Sequence, residues 1–405
     1  MIVGMAAGEA VITGGVAGTN VMPDTGRRPA ETSHQRRKSY SLRITSSQHD
    51  RIAPTGPLRA TPCLRRAYYQ KEADVSDPPH PSSRRCLLIL LNFPLAALAC
   101  QAGATLEAPS ATAPPRTRAE SIPADAVKMV PETDPHPPVL QAAGWDAPVP
   151  LPAPVNTGGA EDGPFITSDG QSLFFTFTPD PDVAAEEQLF DGVTGIYLSR
   201  RQAEGWSEPE RVVLEGPGEL ALDGCPFLLG ESLWFCSARQ GNQRGVDLWT
   251  AQLHDGRWTG WASAGPRLNG DLQAGEMHLS ADGSAMYYHA DRPGGAGGLD
   301  LWVTRLMDGD WGEPENLVLV NSPADDSRPA LSPDGTELWF TRTVDGAPAI
   351  LRSVLDGAAW SAPELIVWPF AAEPSLDPAG NLYFAHHFIV DGRIADADIY
   401  VARRR

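Results

Sequence analysis

A unit of about 45–62 residues returns five times between residue 140 and the end of the chain, and a repeat of that length admits few folds. Each unit opens on an apolar triplet, makes a tight turn and continues into an aromatic strand. The openings are Pro164-Phe-Ile, Pro226-Phe-Leu, Met277-His-Leu, Pro329-Ala-Leu and Pro374-Ser-Leu. Their aromatic strands are Leu173-Phe-Phe, Leu233-Trp-Phe, Met286-Tyr-Tyr, Leu338-Trp-Phe and Leu382-Tyr-Phe. Asp-Gly or a close substitute turns the hairpins, as at Asp169-Gly170, Asp282-Gly283 and Asp334-Gly335.

A third strand follows each hairpin: Gly195-Ile-Tyr-Leu, Asp247-Leu-Trp-Thr, Asp300-Leu-Trp-Val, Ala349-Ile-Leu-Arg and Asp398-Ile-Tyr-Val. A fourth opens on tryptophan, at Trp145, Trp206, Trp258, Trp311 and Trp360. In all but the Trp258 segment a proline stands three residues later. Proline cannot donate to a ladder, so this is the outer strand of each sheet. No convincing amphipathic helix interrupts the series.

The order of these strands is decisive. The Trp145 segment precedes the first hairpin, and the chain ends just after the fifth third strand. Four units are complete and the fifth lacks its outer strand, which the Trp145 segment supplies. Closure of that kind removes an open sheet edge. The expected fold is therefore all-β: a five-bladed β-propeller of four-stranded blades over residues 139–405, closed by pairing of the N-terminal strand around Trp145 with the C-terminal blade.

With the repeats laid out, the units resemble the WD-repeat-like propeller repeat of the TolB type. Ser332-Pro-Asp-Gly335 before Leu338-Trp-Phe carries the likeness. So do Asp291-Arg-Pro-Gly-Gly, Asp300-Leu-Trp302 and Trp311-Gly-Glu-Pro314 in the third unit, and Ser237-Ala-Arg-Gln-Gly through Asp247-Leu-Trp249 in the second. The resemblance implies a propeller serving as an envelope interaction module, gate or sensor. Two units depart from it: the first has a long insertion at 178–194, and the fifth has Asp377 where serine is usual. TolB has a further N-terminal domain with no counterpart here, which weakens any inference to a Tol system.

The chain ahead of the repeats is of another kind. Residues 1–83 are rich in Ser, Arg and Pro without hydrophobic periodicity and read as disordered. Arg84-Arg85 then precede the apolar run Cys86–Ala99, too short to span a bilayer comfortably and interrupted by Asn92 and Pro94. A positive flank, a short apolar core and small residues before a cut site describe a signal peptide over 84–100. Ala97-Leu98-Ala99-Cys100 resembles a bacterial lipobox, which implies lipidation at Cys100; an ordinary cut near Ala99 is the alternative. A signal this far into a chain suggests that residues 1–83 are a mis-annotated upstream extension, with Val75 a reasonable start. Residues 101–138, rich in Pro, Ala and Thr, read as a tether. The expected location is periplasmic or cell-surface, on the membrane only through the N-terminal lipid.

Charge bounds the partners. Residues 100–405 carry 19 Lys/Arg against 44 Asp/Glu, a net of −25, with Lys128 the only lysine. Such a surface repels phosphate backbones and anionic lipid, which excludes nucleic acid as a partner. An envelope protein, or a glycan or cell-wall ligand, fits better. The chain is expected to act as a monomer.

In a propeller, residues entering the first strand and those leaving the second converge on one mouth. The entries hold Glu161, Asp162, Asp223, Glu276, Asp325, Asp326 and Glu373, with His278 just inside. The exits hold Arg239, His289, Asp291, Arg292, Arg342, His386 and His387. From these, Glu161, Asp162, Asp223, Glu276, Asp326, Glu373, His278 and Arg342 form the candidate binding set, for a sugar or for a hard cation such as calcium. The competing reading is that the acids tie neighbouring blades together, and their uneven register favours it. His386 and His387 are adjacent on a strand and face opposite ways, so they cannot share a metal. No other cofactor is implied.

No Gly-x-Ser-x-Gly elbow is present. Asp223, Glu276 and Glu373 offer the carboxylates a glycosidase needs, but lie in no motif that marks one. A two-residue turn at Gly230-Glu231 sets Leu229 opposite Ser232 and Cys225 opposite Cys236, a candidate disulfide.

Overall fold

The structure is a computed structural model that describes residues 117–405. The proposed signal segment, the Cys100 lipidation site and residues 101–116 of the tether lie outside the described residues.

Five antiparallel sheets form the five blades of a β-propeller, in the order read from the repeats. Blade 1 comprises Ala160–Ile166, Ser172–Thr178, Gly195–Arg200 and Glu210–Arg211, and blade 2 Ala221–Leu229, Ser232–Arg239, Asp247–His254 and Arg257–Ser263. Blade 3 comprises Met277–Leu279, Ala285–Ala290, Asp300–Met307 and Glu315–Asn316. Blade 4 comprises Asp326–Leu331, Glu337–Val344, Ala347–Asp356 and Glu364–Trp368. Blade 5 takes Ala371–Leu376, Leu382–Val390 and Arg393–Ala402 from the C-terminus.

Its fourth strand comes from the N-terminal side, as expected. Val149 and Pro150 pair with Val401 and Tyr400, and Trp145 bridges to Arg404. Trp145 is buried, edge-on to Trp339 at 5.6 Å between ring centroids, with its indole N–H donated to the Gly380 carbonyl. The seam is as apolar as any other. Leu151, Val155, Phe175 and Phe177 pack with Tyr383, Ile399 and Val401 in one buried cluster.

The tryptophan-proline segments behave as outer strands, with one refinement. In blades 1, 3 and 4 the tryptophan pairs only at the tip of the third strand, proline breaks the ladder, and pairing resumes beyond it. Blade 2 lacks the proline, and its outer strand runs unbroken from Arg257 to Ser263 apart from a bulge.

Residues 117–138, expected as tether, instead lie against the propeller. Arg118 is buried against Glu161, Lys128 reaches Asp396 and Asp398, and Asp134 meets His386. Val139–Leu140 then adds a further strand to the outer edge of blade 4. Composition misled because scattered polar anchors and the separate apolar contacts of Ile122 and Met129, not an apolar period, hold this strap.

Four of the five innermost strands share one irregularity. Blades 1, 2, 4 and 5 carry a bulge in which two residues oppose one, at Gly163-Pro164, Cys225-Pro226, Arg328-Pro329 and Glu373-Pro374. Proline has no N–H to give a ladder, so it suits the unpaired place of a bulge. The residue before it turns left-handed, with φ of 58°, 52°, 53° and 59° respectively. Blade 3 has Met277 instead of proline, and its ladder shows no shift.

Candidate functional site

The bulges aim side chains at the propeller axis. One cavity is lined by the innermost strands of all five blades, including Gly163, Cys225, Glu276, Arg328 and Glu373 at one level and Phe165, Phe227 and His278 at the next. Left-handed backbone costs a residue bearing a Cβ about 1–2 kcal/mol, yet glycine occupies only one of the four bulges. Cys225, Arg328 and Glu373 are held in strained backbone and projected inward.

The aromatic level narrows the channel. Phe227 lies 4.4 Å from His278 and 5.0 Å from Phe165, centroid to centroid. His278 gives Nδ1 to the Leu279 carbonyl at 2.9 Å, and burial holds its pKa down at about 4. The cavity left above is about 50 Å³, room for a few waters and too little for a sugar ring.

The charged level is a compact cluster. Arg328 Nε lies 2.7 Å from Glu373 and 3.4 Å from Glu276. Asp162, from blade 1, contacts His387 of blade 5 at 3.2 Å and hydrogen-bonds Glu373. Glu373 Oε2 also accepts the Gly163 N–H at 2.6 Å. Burial, the Asp162 charge and their hydrogen bond push the Glu373 carboxyl well up, against Arg328. Burial also raises Glu276, with Arg328 opposing. Asp162 goes the other way: burial would raise it, but His387, the Glu373 hydrogen bond and Arg328 hold it below the ordinary range.

The predicted residues divide by register. Glu161, Asp223 and Asp326 stand three places before their triplets, and each ties a connection to a blade. Asp223 pairs with Arg239 and Asp326 with Arg342, both at 2.6 Å, and the two arginines also donate to the carbonyls of Leu214 and Val320. Glu161 takes Arg118 at 2.5 Å together with the N–H and hydroxyl of Thr157. Arg342, like its counterpart Arg239, thus serves the scaffold and does not line the cavity. Glu276 and Glu373 stand one place before their triplets and do line it, as does His278; Asp162 touches the cluster from two places before.

The exits divide likewise. Arg292 donates to the carbonyls of Asp271 and Leu272. His289 Nδ1 accepts the Arg328 N–H at 3.3 Å, and burial together with Arg328 and Arg244 keeps its pKa at about 3. His386 faces the strap and His387 faces Asp162, the opposed directions expected of neighbours on a strand. Among the described residues no three His, Cys, Asp or Glu side chains are grouped to hold a metal ion.

Sequence reasoning missed Arg328 and the inward aim of Cys225. The available signal was proline inside an inner strand, which marks a bulge and re-aims the residue before it. The same bulge corrects the cysteine register. Leu229 does oppose Ser232, but Gly224, not Cys225, opposes Cys236. Both cysteines are free thiols; the hydrogen bond to Cys236 and burial push the Cys225 thiol well above its ordinary value.

No protein-family model matches the chain, and no curated protein matches its sequence. Among solved structures it is similar to a thermostable family-43 glycoside hydrolase (12% identity, 62% of this chain and 92% of that one, TM-score 0.42). It is also similar to TolB from Acinetobacter baumannii (14%, 59% and 53%, 0.32) and to the gluconolactonase XC5397 from Xanthomonas campestris (11%, 69% and 98%, 0.39). None of these likenesses bears on activity. The fold stands on the five sheets themselves: the chain is a five-bladed β-propeller.

Proposed function

We propose that this chain is an extracytoplasmic, lipid-anchored propeller of TolB-like construction that serves as a protein-interaction module of the cell envelope. The observation that carries the reading is a set of exposed apolar side chains on the loops around the channel mouth. Phe190 stands in the blade 1 insertion, Leu220 before blade 2, Val318 and Leu319 between blades 3 and 4, and Val390 at the blade 5 turn; Val318 is 76% exposed and Phe190 67%. Exposed apolar groups on loops at this end of the blades suit a protein partner. Most of the mouth's carboxylates meanwhile have cationic partners inside the protein, so they brace the scaffold that presents those loops.

Capture from detergent-solubilised native envelopes, with a photo-crosslinker at Leu319, tests this reading. A discrete crosslinked protein that disappears with Phe190→Asp/Leu319→Asp is the expected result. Capture unaffected by that pair removes the mouth from the reading. Anchoring is read separately: Cys100→Ala should move the protein from the membrane to the soluble fraction.

A second reading has its own support. Asp162, Glu276 and Glu373 come from three blades to one cluster with opposed proton preferences, the arrangement that divides acid from base in glycoside hydrolysis. Against it stands the cavity, which must widen before a sugar enters. A glycan array with Glu276→Ala and Glu373→Ala as controls decides: retention of a glycan by the wild type alone supports this reading.

A further inference from the structure

A second cavity lies where the strap crosses the propeller, and it shares no lining residue with the axial one. Its volume is about 400 Å³, inside the range of about 300–1,000 Å³ usual for small-molecule sites. The strap supplies one wall through Lys128, Met129, Val130 and Pro131. The closing strand of blade 5 and the connection leading from it into blade 1 supply the other, through Pro150, Leu151, Ala153 and the Asn156–Gly158 turn, with Asp398 at one end. Pro131 and Pro150 have no N–H, so they present hydrocarbon to the cavity without an unsatisfied donor.

Four polar side chains meet this cavity, and two of them are fully engaged elsewhere. The Asn156 amide holds both backbone groups of Ile399. The Thr157 hydroxyl donates to Glu161 and accepts the Gly159 N–H. The other two keep free capacity. Lys128 donates one N–H to Asp396, at 3.2 Å, and one to Asp398 Oδ1, which leaves the third hydrogen of the ammonium unused. The Asp398 side chain is 3% exposed, and its Oδ2 has no hydrogen-bond partner among the described residues. Asp396, by contrast, accepts from Lys128, Met129 and Ala397 and is satisfied.

These two groups select the head of a ligand. A free N–H beside a free carboxylate oxygen is matched by a group that accepts and donates at once. Two carboxylates share the single ammonium, which disfavours an anionic head, and the ammonium disfavours a cationic one. A hydroxyl accepts, donates and carries no charge. The walls select the body. The volume is roughly two to three times that of an engineered apolar cavity of about 150 Å³ that binds benzene, so one ring with a short chain fits.

We propose that this cavity binds an uncharged alcohol with an apolar body of about ten to fifteen heavy atoms, its hydroxyl set between Lys128 and Asp398, and that the bound molecule fastens the strap to the ring. The site stands whether or not the channel mouth takes a protein partner. Each wall comes from a different segment, so a molecule touching both is held only while the strap is docked, and it stabilises that state.

Calorimetric titration of the full chain with 4-phenylbutan-1-ol, 4-phenylbutanoate and 4-phenylbutylamine varies the head on one constant body. Work at pH 8 keeps the Asp398 carboxyl largely ionised, since burial raises its pKa to about 7. Saturable binding of the alcohol is expected, tighter than either charged probe by at least about tenfold. Asp398→Asn, which turns the free acceptor into a donor, should weaken the alcohol by about tenfold. Val130→Trp, which fills the cavity from an exposed position, should abolish binding with thermal unfolding unchanged. If the Asn variant fails to fold, Val130→Trp and the order of the three probes carry the test. Amide hydrogen exchange over residues 117–138 should slow on saturation with the alcohol, and not in Val130→Trp. No saturation, or unchanged binding in folded Val130→Trp, overturns the site. Equal or tighter binding of the amine or the carboxylate overturns the hydroxyl assignment, and unchanged exchange in the strap overturns the fastening.

Discussion

Asn156 grips Ile399 by both of its backbone groups: Nδ2 donates to the Ile399 carbonyl and Oδ1 accepts the Ile399 N–H, each at 3.0 Å. The two residues lie 243 positions apart. Asn269 holds Leu248, and Asn321 holds Leu301, in the same two-handed way. All three asparagines precede an inner strand and grasp the third strand of the blade before it. The grip that links consecutive blades elsewhere is thus the grip that closes the ring.

Asn156→Ala should therefore cost about 1–3 kcal/mol, from the buried Ile399 N–H left unpaired while its carbonyl keeps the Leu151 N–H. Asn269→Ala and Asn321→Ala should cost similar amounts, since their contacts are alike. Urea unfolding of the three variants measures this. A negligible loss for Asn156→Ala beside large losses for the other two would show closure to be dispensable.

Trp145→Ala removes the largest apolar side chain of the closing segment, and a buried tryptophan lost to alanine costs about 3–5 kcal/mol. Blade 5 is then expected to expose its third strand as an open edge. Size-exclusion chromatography should show concentration-dependent association that the wild type lacks.

The strap makes a distinct prediction. Arg118→Met abandons Glu161, whose side chain is fully buried, and breaking a buried pair from one side costs about 3–5 kcal/mol. Adding Glu161→Gln should recover much of the loss, because the orphaned charge goes with it. Thermal melts of the single and double variants give the comparison; a double variant no more stable than the single one would mean that packing, not charge, sets the cost.

Glu373 should leave a signature in pH. Its folded pKa lies above the unfolded value of 4.5, so the folded chain keeps a proton that the unfolded chain releases. The stability this contributes is complete below pH 4.5 and is lost as pH rises through the folded value. Glu373→Gln lacks that loss. Its stability relative to wild type should improve across that window by up to about 1.4 kcal/mol per pH unit. Denaturant midpoints from pH 5 to 9 read this, and a constant difference would contradict it.

Much of the fold was legible because its rules are local. Asp169, Asp282 and Asp334 each accept a hydrogen bond from Thr167, Ser280 or Ser332 two residues back, so the hairpin turns are written in adjacent residues. Trp145 was assigned to blade 5 by strand order alone. The site was less legible, because Arg328 owes its direction to the bulge with Pro329, which displaces the register. Carboxylates at two registers looked like one irregular set. Once the bulge is known, Glu161, Asp223 and Asp326 separate from Glu276 and Glu373. Arg118 gave no sign in its surroundings of the partner 43 residues away.

The position ahead of each inner-strand proline behaves as a socket. Backbone twist alone sets its direction, so its occupant can be exchanged while the strand and both its neighbours stay as they are. In blades 1, 2, 4 and 5 the sockets hold glycine, a thiol, a guanidinium and an acid, and blade 3 offers a second acid without the bulge. A lineage of such propellers can thus rewrite what meets at its axis one letter at a time, and exchange recognition chemistries without refolding the barrel around them.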